Sequence, residues 1–425
     1  MDYKREKIAI IGLGYVGLPL AVAFSKEREV LAFDIDLERI NSLSNGVDET
    51  LEVDTNDLKD NVSLVFSNDE KDLGDCGVFI ITVPTPINNH NKPDLRPLVT
   101  ASEMVGKYLK KNSLVIYEST VYPGATEEIC VPVLEKESGL IFNSEFYCGY
   151  SPERINPGDK NKRLSNIVKI VSGSTLEITD SVDELYSSII EAGTYKVSSI
   201  KVAEAAKVIE NTQRDLNIAL INELSMLFNK LGLNTNEILE AAETKWNFVP
   251  FRPGLVGGHC IGIDPYYLTY KAEEIGFNTE LILAGRKIND AMANFVVEEA
   301  IKKLLDNSLS IENSEFLILG FSFKENCRDI RNTKVNDIVK LLESKNVKVS
   351  VYDPWIDRKK ARDLYNINFL ETLPTSGTYS AVIIAVAHED FKQLEINQVR
   401  GLLKKNGVVY DIKSIFPQAE VDGTL

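Results

Sequence analysis

A cysteine with charged neighbours lies in a peptide that contains two adjacent glycines. Cys260 follows Gly257 and Gly258 after one residue, Asp264 is four residues further on, and Arg252 is eight residues upstream. Backbone without a Cβ approaches a ligand closely, and a thiol near a carboxylate and a guanidinium suits covalent catalysis. The alternative is that Cys260 is a small buried hydrophobic residue, as many cysteines outside disulfides are.

A second candidate site is the glycine-rich segment 12–17, with the sequence Gly-Leu-Gly-Tyr-Val-Gly. It lies between an apolar run, 7–11, and a helix-like segment, 18–26, and Asp34 ends the next apolar run. That context predicts a dinucleotide site: the three glycines allow a tight turn around a pyrophosphate, and the acid binds the ribose hydroxyls. No basic residue directly follows Asp34, so NAD is favoured over NADP. The alternative is a tight turn that binds no ligand.

Further apolar runs end in loops that carry polar side chains. The run 78–83 leads into Pro84-Thr85-Pro86, the run 114–117 leads into segment 118–124, and segment 143–150 leads into segment 151–158. The carboxyl ends of parallel strands meet at one sheet edge, where doubly wound sheets bind ligands. These loops therefore indicate a site at that edge, although each taken alone is an ordinary turn.

The middle of the chain predicts one long helix over residues 199–230, without Pro or Gly. Lys207 and Asn211 are four residues apart and share a helix face, and Arg214 follows three residues later. A solvated polar face is the alternative interpretation. A helix of this length can join two α/β lobes and form a dimer surface.

The last part of the chain alternates strands and helices again, with predicted strands at 315–320, 347–353, 381–385 and, as the last, 408–411. Its loops carry cations suited to a diphosphate, or alternatively scattered over the surface: Lys324, Arg328, Arg331 and Lys413. The predicted fold class is α/β, with two doubly wound Rossmann-like domains joined by a long central helix. The predicted domains are an NAD-binding domain (1–198), a central helical dimerisation domain with catalytic residues (199–308) and a C-terminal α/β domain (309–425).

Composition excludes several classes of function. The 425 residues carry a formal net charge of -16, which argues against nucleic acid and anionic membranes as partners. Five scattered cysteines without a CxxC spacing indicate reduced thiols and a cytoplasmic protein. His259 beside Cys260 has no second ligand pair, so no metal site is predicted. No signal peptide or membrane-spanning run is expected.

Nearly the whole chain resembles the UDP-glucose and GDP-mannose dehydrogenase superfamily. The resemblance rests on the motifs GLGYVGLP, ESTVYPG, SPERINPG, EAAKVIENTQRDLNIALINE, GGHCIGIDPYYL and FSFKENCRDIRNT, in that order. SPERINPG and GGHCIGIDPYYL are similar to the branch that acts on UDP-N-acetylhexosamines, of the Vi-polysaccharide and O-antigen type. Pro157 stands where UDP-glucose enzymes of the family usually carry a second glutamate, which leaves Glu153 as the matched carboxylate.

The resemblance implies an NAD-dependent, four-electron oxidation of the sugar C6 alcohol to a carboxylate, for surface polysaccharide synthesis, by at least a homodimer. The implied catalytic residues are Cys260 (nucleophile), Lys207 and Asn211 (oxyanion and proton), Asp264 (proton movement), Glu153 (water for hydrolysis) and Thr120 (alcohol step). The implied NAD contacts, besides Gly12, Gly14 and Gly17, are Tyr15, Val16, Asp34, Arg39, Thr85, Thr120 and Arg331. The implied UDP-sugar contacts, besides Lys207 and Asn211, are Arg154, Ile155, Arg214, Arg252, Gly257, Phe323, Lys324 and Lys413.

Three alternatives stay open. UDP-glucose or UDP-N-acetylmannosamine is the nearest alternative substrate, and the resemblance leaves the C4 epimer, GlcNAc or GalNAc, undecided. A two-electron oxidation of a hydroxy acid needs one NAD domain and no thiol. A non-catalytic NAD-sensing protein is the third, and the coincidence of Cys260, Lys207, Asn211 and Asp264 argues against it.

Overall fold

A computed structural model describes residues 3, 5–59, 61–88, 90–155 and 164–425. The chain forms two compact units. The first consists of residues up to 210 together with 266–278, and the second of residues 211–265 together with 279–425. No helix among the described residues is long and apolar enough to cross a membrane.

The first unit is built on an eight-stranded sheet. Its strands are β1 (Ile8–Ile11), β2 (Val30–Phe33), β3 (Leu64–Ser67), β4 (Val78–Ile81), β5 (Ser113–Tyr117), β6 (Phe146–Tyr150), β7 (Lys169–Gly173) and β8 (Thr194–Lys196). The spatial order is β3-β2-β1-β4-β5-β6-β7-β8. The pair β6–β7 is antiparallel and the other pairs are parallel. Strands β1, β2 and β4 are apolar and buried throughout, because helices cover both faces of such a sheet.

Helices alternate with these strands along the chain. They are α1 (Gly17–Ser25), α2 (Leu37–Ser44), α3 (Thr55–Lys59), α4 (Arg96–Gly106), α5 (Val131–Ser138) and α6 (Leu176–Ser187). The central part of the chain forms α7 (Ile200–Leu231), α8 (Thr235–Glu243), α9 (Asp264–Glu274) and α10 (Glu280–Asp306). Helix α7 has 32 residues, in line with the prediction for residues 199–230.

The second unit contains a five-stranded parallel sheet. Its strands are β9 (Glu315–Leu319), β10 (Lys348–Tyr352), β11 (Tyr379–Ile384), β12 (Leu403–Asp411) and β13 (Gly423–Thr424), in the order β10-β9-β11-β12-β13. Its further helices are α11 (Val335–Ser344), α12 (Arg358–Tyr365), α13 (Glu389–Lys392) and α14 (Ile396–Gly401). Apolar residues of α10 and α11 form one buried core with the sheet.

The fold class is confirmed: the protein is α/β, with two Rossmann-like sheets and a long central helix. One detail of the prediction is wrong. The last strand is β13 and not the run at 408–411, because two edge residues carry too little pattern to be found. Helix α9 begins at Asp264, whose amide donates to the Cys260 carbonyl. The division into three domains stays a prediction.

Candidate active site

The glycine-rich segment forms the turn between β1 and α1. Gly12 has a φ of +96°, and a Cβ at Gly17 would collide with the Gly12 carbonyl oxygen and the Thr82 hydroxyl. Around Gly14 a Cβ would meet nothing within 4 Å, and no side chain caps the N-terminus of α1. An open backbone before an uncapped helix N-terminus fits a pyrophosphate, so the loop suits a bound dinucleotide.

Asp34, the predicted ribose contact, supports this glycine loop. Its Oδ2 accepts a hydrogen bond of 2.7 Å from the Leu13 amide, and its Oδ1 accepts one of 2.9 Å from Asp36. Arg39 donates from Nε to the Leu13 carbonyl at 3.0 Å and forms an ion pair with Asp48. Asp34 and Arg39, which are both predicted to bind NAD, therefore hold Leu13 in the middle of the turn.

The two predicted threonines of this unit lie side by side. Thr85 donates from its hydroxyl to the Thr120 carbonyl at 2.7 Å, and the Tyr267 hydroxyl donates to the Thr85 carbonyl at 2.8 Å. Tyr15 and Val16, at the start of α1, are half-buried. The loops after β4 and β5 thus meet at the sheet edge, as the position of the polar residues indicated.

Glu153 lies in the loop after β6 and is buried. Its Oε1 accepts hydrogen bonds from the amides of Arg154 (2.6 Å) and Ile155 (2.7 Å). The Arg154 guanidinium pairs with Glu210 at 2.8 Å, and Ile155 packs against the core of the unit. Pro157, which replaces the second glutamate, lies outside the described residues.

Glu153 belongs to a buried cluster of charged residues, whose other members sequence reasoning missed. The Lys169 ammonium contacts Glu118 Oε2 at 2.6 Å and Glu153 Oε2 at 3.1 Å, and the Tyr186 hydroxyl donates to Glu118. Burial raises the pKa of Glu118 to about 7, although the Lys169 ammonium opposes the rise. A charged residue at the start of β7 was the available signal, because a lysine inside an apolar strand needs a buried acid as partner.

Helix α7 presents the predicted polar set. Lys207 is buried, and no described residue forms an ion pair or hydrogen bond with its ammonium group. Asn211 is also buried and donates from Nδ2 to Asp264 Oδ2 at 2.6 Å. Arg214 is exposed. The structure therefore brings together Asn211 and Asp264, which are separated by 53 residues in the sequence.

Cys260 differs from the other cysteines because its side chain is exposed, whereas the other four are buried. Burial raises the pKa of Cys76 to about 11 and that of Cys130 to about 12, so those thiols stay protonated. The Cys260 carbonyl accepts a hydrogen bond of 2.8 Å from the Asp264 amide, which begins α9. An exposed thiol thus lies one helical turn from a buried carboxylate, an arrangement suited to nucleophilic chemistry.

Four of the predicted sugar-nucleotide contacts line one small cavity of the second unit. They are Gly257, Phe323, Lys324 and Lys413. The Lys413 amide donates to Asp411, which fixes the turn after β12. Two ammonium groups and a ring at one cavity suit a nucleoside diphosphate.

Arg252 does not line this cavity. Its guanidinium forms an ion pair with Glu243, at the end of α8. The following loop is fixed by Asn222 of α7, whose amide group bonds both the N–H of Gly254 (2.8 Å) and its carbonyl (3.0 Å). Asn222 is thus a structural anchor for the approach to the cysteine peptide.

Arg331, predicted to contact NAD, belongs to the second unit and forms an ion pair with Asp329 at 2.6 Å. Asp329 also contacts His259 Nε2 at 2.8 Å. Burial alone would raise the pKa of Asp329, but the hydrogen bonds from His259 and Arg331 outweigh it and lower that pKa. Sequence reasoning missed this acid, which was hidden among the cations of its loop. Among the described residues, no group of three or more His, Cys, Asp or Glu could hold a metal ion.

Three family descriptions match successive parts of the chain. Residues 6–190 match the UDP-glucose/GDP-mannose dehydrogenase family, NAD binding domain; 201–291 match its central domain; and 317–418 match its UDP binding domain. The chain belongs to the UDP-glucose/GDP-mannose dehydrogenase family. Its cofactor is therefore NAD, as predicted from the glycine loop and Asp34.

Relatives of this family match over nearly the full length. A UDP-N-acetyl-D-glucosamine 6-dehydrogenase of Pseudomonas aeruginosa is 58% identical and covers 99% of both chains. A UDP-N-acetyl-D-glucosamine 6-dehydrogenase of Salmonella typhi is 56% identical and covers 98% of both. The structure of a UDP-D-ManNAc dehydrogenase from Pyrococcus horikoshii is 30% identical, with a TM-score of 0.88 over 97% of this chain and 96% of that one.

Proposed function

We propose that the protein is an NAD-dependent UDP-N-acetylhexosamine 6-dehydrogenase that oxidises UDP-N-acetylglucosamine to its uronic acid for surface polysaccharide synthesis. The names of the two relatives above 50% identity support this substrate. The arrangement of the exposed Cys260 with the buried Asn211–Asp264 pair carries the proposal, because a four-electron oxidation needs a nucleophile that holds the aldehyde.

The proposed reaction balances in two oxidations and one hydrolysis. Two molecules of NAD, bound one after the other, would accept the two hydrides that leave sugar C6, one in each oxidation. After the alcohol is oxidised to the aldehyde, the Cys260 thiolate adds to C6 and forms a thiohemiacetal. Oxidation of the thiohemiacetal gives a thioester. Water then adds to the thioester carbonyl, the C–S bond breaks, and the carboxylate and the Cys260 thiol are released.

The roles proposed for the other residues are those that the family resemblance implies, and the chemistry of each side chain supports them. Lys207 stabilises the oxyanion on C6 and moves its proton, and Asn211 donates a second hydrogen bond. Asp264 assists proton movement at the thiol. Glu153 orients water for the hydrolysis, and Thr120 assists the first oxidation. The cavity with Phe323, Lys324 and Lys413 receives the UDP group, which its two ammonium groups support.

The other predicted contacts bind the cofactor and the substrate. The turn 12–17 with Asp34, Arg39, Thr85, Thr120 and Arg331 binds NAD. Arg154, Ile155, Arg214, Arg252 and Gly257 bind the UDP-sugar. The enzyme acts in the cytoplasm, as a homodimer or a higher homo-oligomer. Exposed Leu220, Leu227 and Leu231 along α7 support association of two copies.

The first experiment measures NADH formed per molecule of limiting sugar nucleotide. Two NADH per UDP-N-acetylglucosamine are expected, with slower turnover of UDP-GalNAc, UDP-ManNAc and UDP-glucose. A single NADH per sugar would contradict the four-electron reaction, and a preference for UDP-glucose would contradict the assigned branch.

The second experiment uses Cys260→Ala. We expect no uronate from this variant, because no thiolate captures the aldehyde, while NAD binding measured by calorimetry is unchanged. The matched control is Cys76→Ala, which removes a buried thiol and leaves Cys260 in place. Uronate formation at the wild-type rate by Cys260→Ala would contradict the covalent route.

A further inference from the structure

The peptide that carries Cys260 packs against the loop between β9 and α11. A Cβ at Gly257 would lie 2.7 Å from the Asn332 carbonyl oxygen, and a Cβ at Gly258 would lie 2.7 Å from the Phe323 ring. The Gly258 amide donates to the Asn332 carbonyl at 3.3 Å. The two segments thus touch through backbone, without room for side chains at the glycines.

His259 adds a side-chain contact between these segments. Its Nε2 lies 2.8 Å from Asp329 Oδ2, and its ring meets the Phe323 ring edge-to-face, with centroids 5.9 Å apart. The side chain of His259 is 32% exposed and that of Asp329 is 5% exposed. The histidine therefore reaches from the cysteine peptide into a buried carboxylate of the neighbouring loop.

Asp329 is held rigidly on its own side. Arg331 donates to it from Nε, from Nη2 and from the backbone amide, at 3.0, 2.6 and 3.0 Å. The Asp329 carbonyl also accepts a hydrogen bond of 3.1 Å from the Phe323 amide. Since Phe323 lines the cavity with Lys324 and Lys413, the carboxylate that holds His259 is fixed to the wall of that cavity.

We infer that His259 is a positioning residue, whose contact with Asp329 holds the Cys260 thiol in a fixed place relative to the cavity lined by Phe323, Lys324 and Lys413. This inference rests on the proposed function, in which that cavity receives the UDP group and Cys260 attacks the sugar. His259 and Cys260 are neighbours in the chain, with Cα atoms about 3.8 Å apart across a trans peptide. A shift of the histidine therefore moves the thiol, and a displacement of about 1 Å costs roughly 100-fold in rate.

The test is the rate at which iodoacetamide alkylates Cys260 in the ligand-free protein. This rate reports on one thiol, because the other four cysteines are buried and Cys260→Ala provides the blank. In His259→Ala the peptide loses its contact with Asp329, so we expect alkylation at least about three-fold faster than in the wild type. His259→Gln, which keeps a side-chain N–H donor, is expected to restore a slower rate. His90→Ala, at an exposed histidine of the first unit, is the matched control.

A double-mutant cycle tests the route through Asp329. If His259 acts through this carboxylate, Asp329→Asn and His259→Ala raise the alkylation rate by similar factors, and the double variant is no faster than either. If the double variant is faster than either single variant, by the product of their two factors, His259 does not act through Asp329. An unchanged or slower alkylation rate in His259→Ala would overturn the inference itself. Because His259 is partly exposed, we expect His259→Ala to fold, so this variant tests the inference even if Asp329→Asn does not fold.

Turnover separates this inference from the proposed function. We expect His259→Ala to lower kcat about ten-fold or more while the KM for UDP-N-acetylglucosamine changes less than about three-fold, because the cavity is kept and the thiol is displaced. A raised KM with an unchanged kcat would contradict a positioning role. If the wild type does not oxidise any UDP-sugar, the proposed function fails, whereas the alkylation cycle still reports whether His259 positions Cys260.

Discussion

The hydrogen bond between Asn211 and Asp264 is the contact on which the proposed site depends most. Both side chains are buried, and the bond measures 2.6 Å. Asn211→Ala removes one donor from a buried carboxylate, so the free energy of unfolding should fall by about 1–3 kcal/mol, and uronate formation should fall as well. Urea denaturation and NADH formation measure the two effects.

Asn217→Ala is the control for this substitution. Asn217 lies on the same helix, but its amide donates only to the Gln213 carbonyl one turn away. We expect a change within about 0.5 kcal/mol, the usual range for surface positions. An equal loss in the free energy of unfolding in both variants would mean that the Asn211–Asp264 hydrogen bond does not contribute more to stability than an ordinary surface contact.

Lys169 is the residue whose removal should harm stability most. It is buried and contacts Glu118 and Glu153, so Lys169→Met would leave both buried acids without their cation. Breaking a buried ion pair in this way costs about 3–5 kcal/mol. Lys196→Met on the neighbouring strand β8 is the control, because Lys196 is half-exposed and its ion pairs face solvent, so little change is expected.

The pH dependence of the Lys169 variant has a defined sign. Burial raises the pKa of Glu118 from 4.5 to about 7, so the folded state binds a proton that the unfolded state has lost. Stability from this group is full below pH 4.5 and falls as pH rises towards 7. Without Lys169 the pKa of Glu118 rises further, so the fall in melting temperature should extend to a higher pH than in the wild type. A flat profile in Lys169→Met would contradict the assignment.

Single residues also show where sequence reasoning ended. Motif spacing pointed to Cys260, Asn211 and Asp264, but it could not show that an amide and a carboxylate 53 residues apart would bond. Arg331 was interpreted as one of several loop cations suited to a diphosphate, whereas its guanidinium forms an ion pair with Asp329, two residues before it. Charge counted along a sequence does not reveal pairing, because the pairing depends on how the loop folds back.

At the scale of elements, Gly258 tests how closely the cysteine peptide packs. Its φ of +83° costs a residue with a side chain about 1–2 kcal/mol, and a Cβ would press on the Phe323 ring, which adds roughly 1–3 kcal/mol of overpacking. Gly258→Ala should therefore lower the free energy of unfolding by more than the backbone strain alone. It should also slow NADH formation, since Phe323 must move.

Gly139→Ala provides the matched comparison. Gly139 ends α5 with a φ of +70°, and a Cβ there would meet nothing within 4 Å. Gly139→Ala therefore has the backbone strain but no clash of the new Cβ with a neighbour. Gly139 lies in the first unit, far along the chain from Cys260. Similar melting temperatures for the two variants would refute a packing contact between Gly258 and Phe323.

The pattern of apolar residues predicted some strands and missed others for a physical reason. Strands β1, β2 and β4 are continuous apolar runs and were found within one or two residues. Strand β7 begins with Lys169, which is buried only because Glu118 and Glu153 neutralise it. Strand β8, Thr194–Lys196, is mostly exposed and is held by pairing with β7. A local pattern cannot show strands that depend on distant partners.

At the scale of the whole molecule, one face of α7 exposes leucine side chains to solvent. Leu220, Leu227 and Leu231 are 54%, 48% and 60% exposed. Their spacing of seven and four residues places them on one helix face. Burying a leucine side chain contributes about 1.5–3 kcal/mol, a gain that would favour the joining of two copies along this face.

We therefore expect the wild type to have twice the 47.4 kDa chain mass, or a higher multiple, in light scattering at micromolar concentration. Leu220→Glu combined with Leu227→Glu should shift the protein to the mass of one chain, because it places two carboxylates on each side of the contact. Leu364→Glu, at a leucine of α12 that is 62% exposed, should leave the mass unchanged. A wild type with the mass of one chain, or a double variant that stays associated, would show that α7 is not the contact between copies.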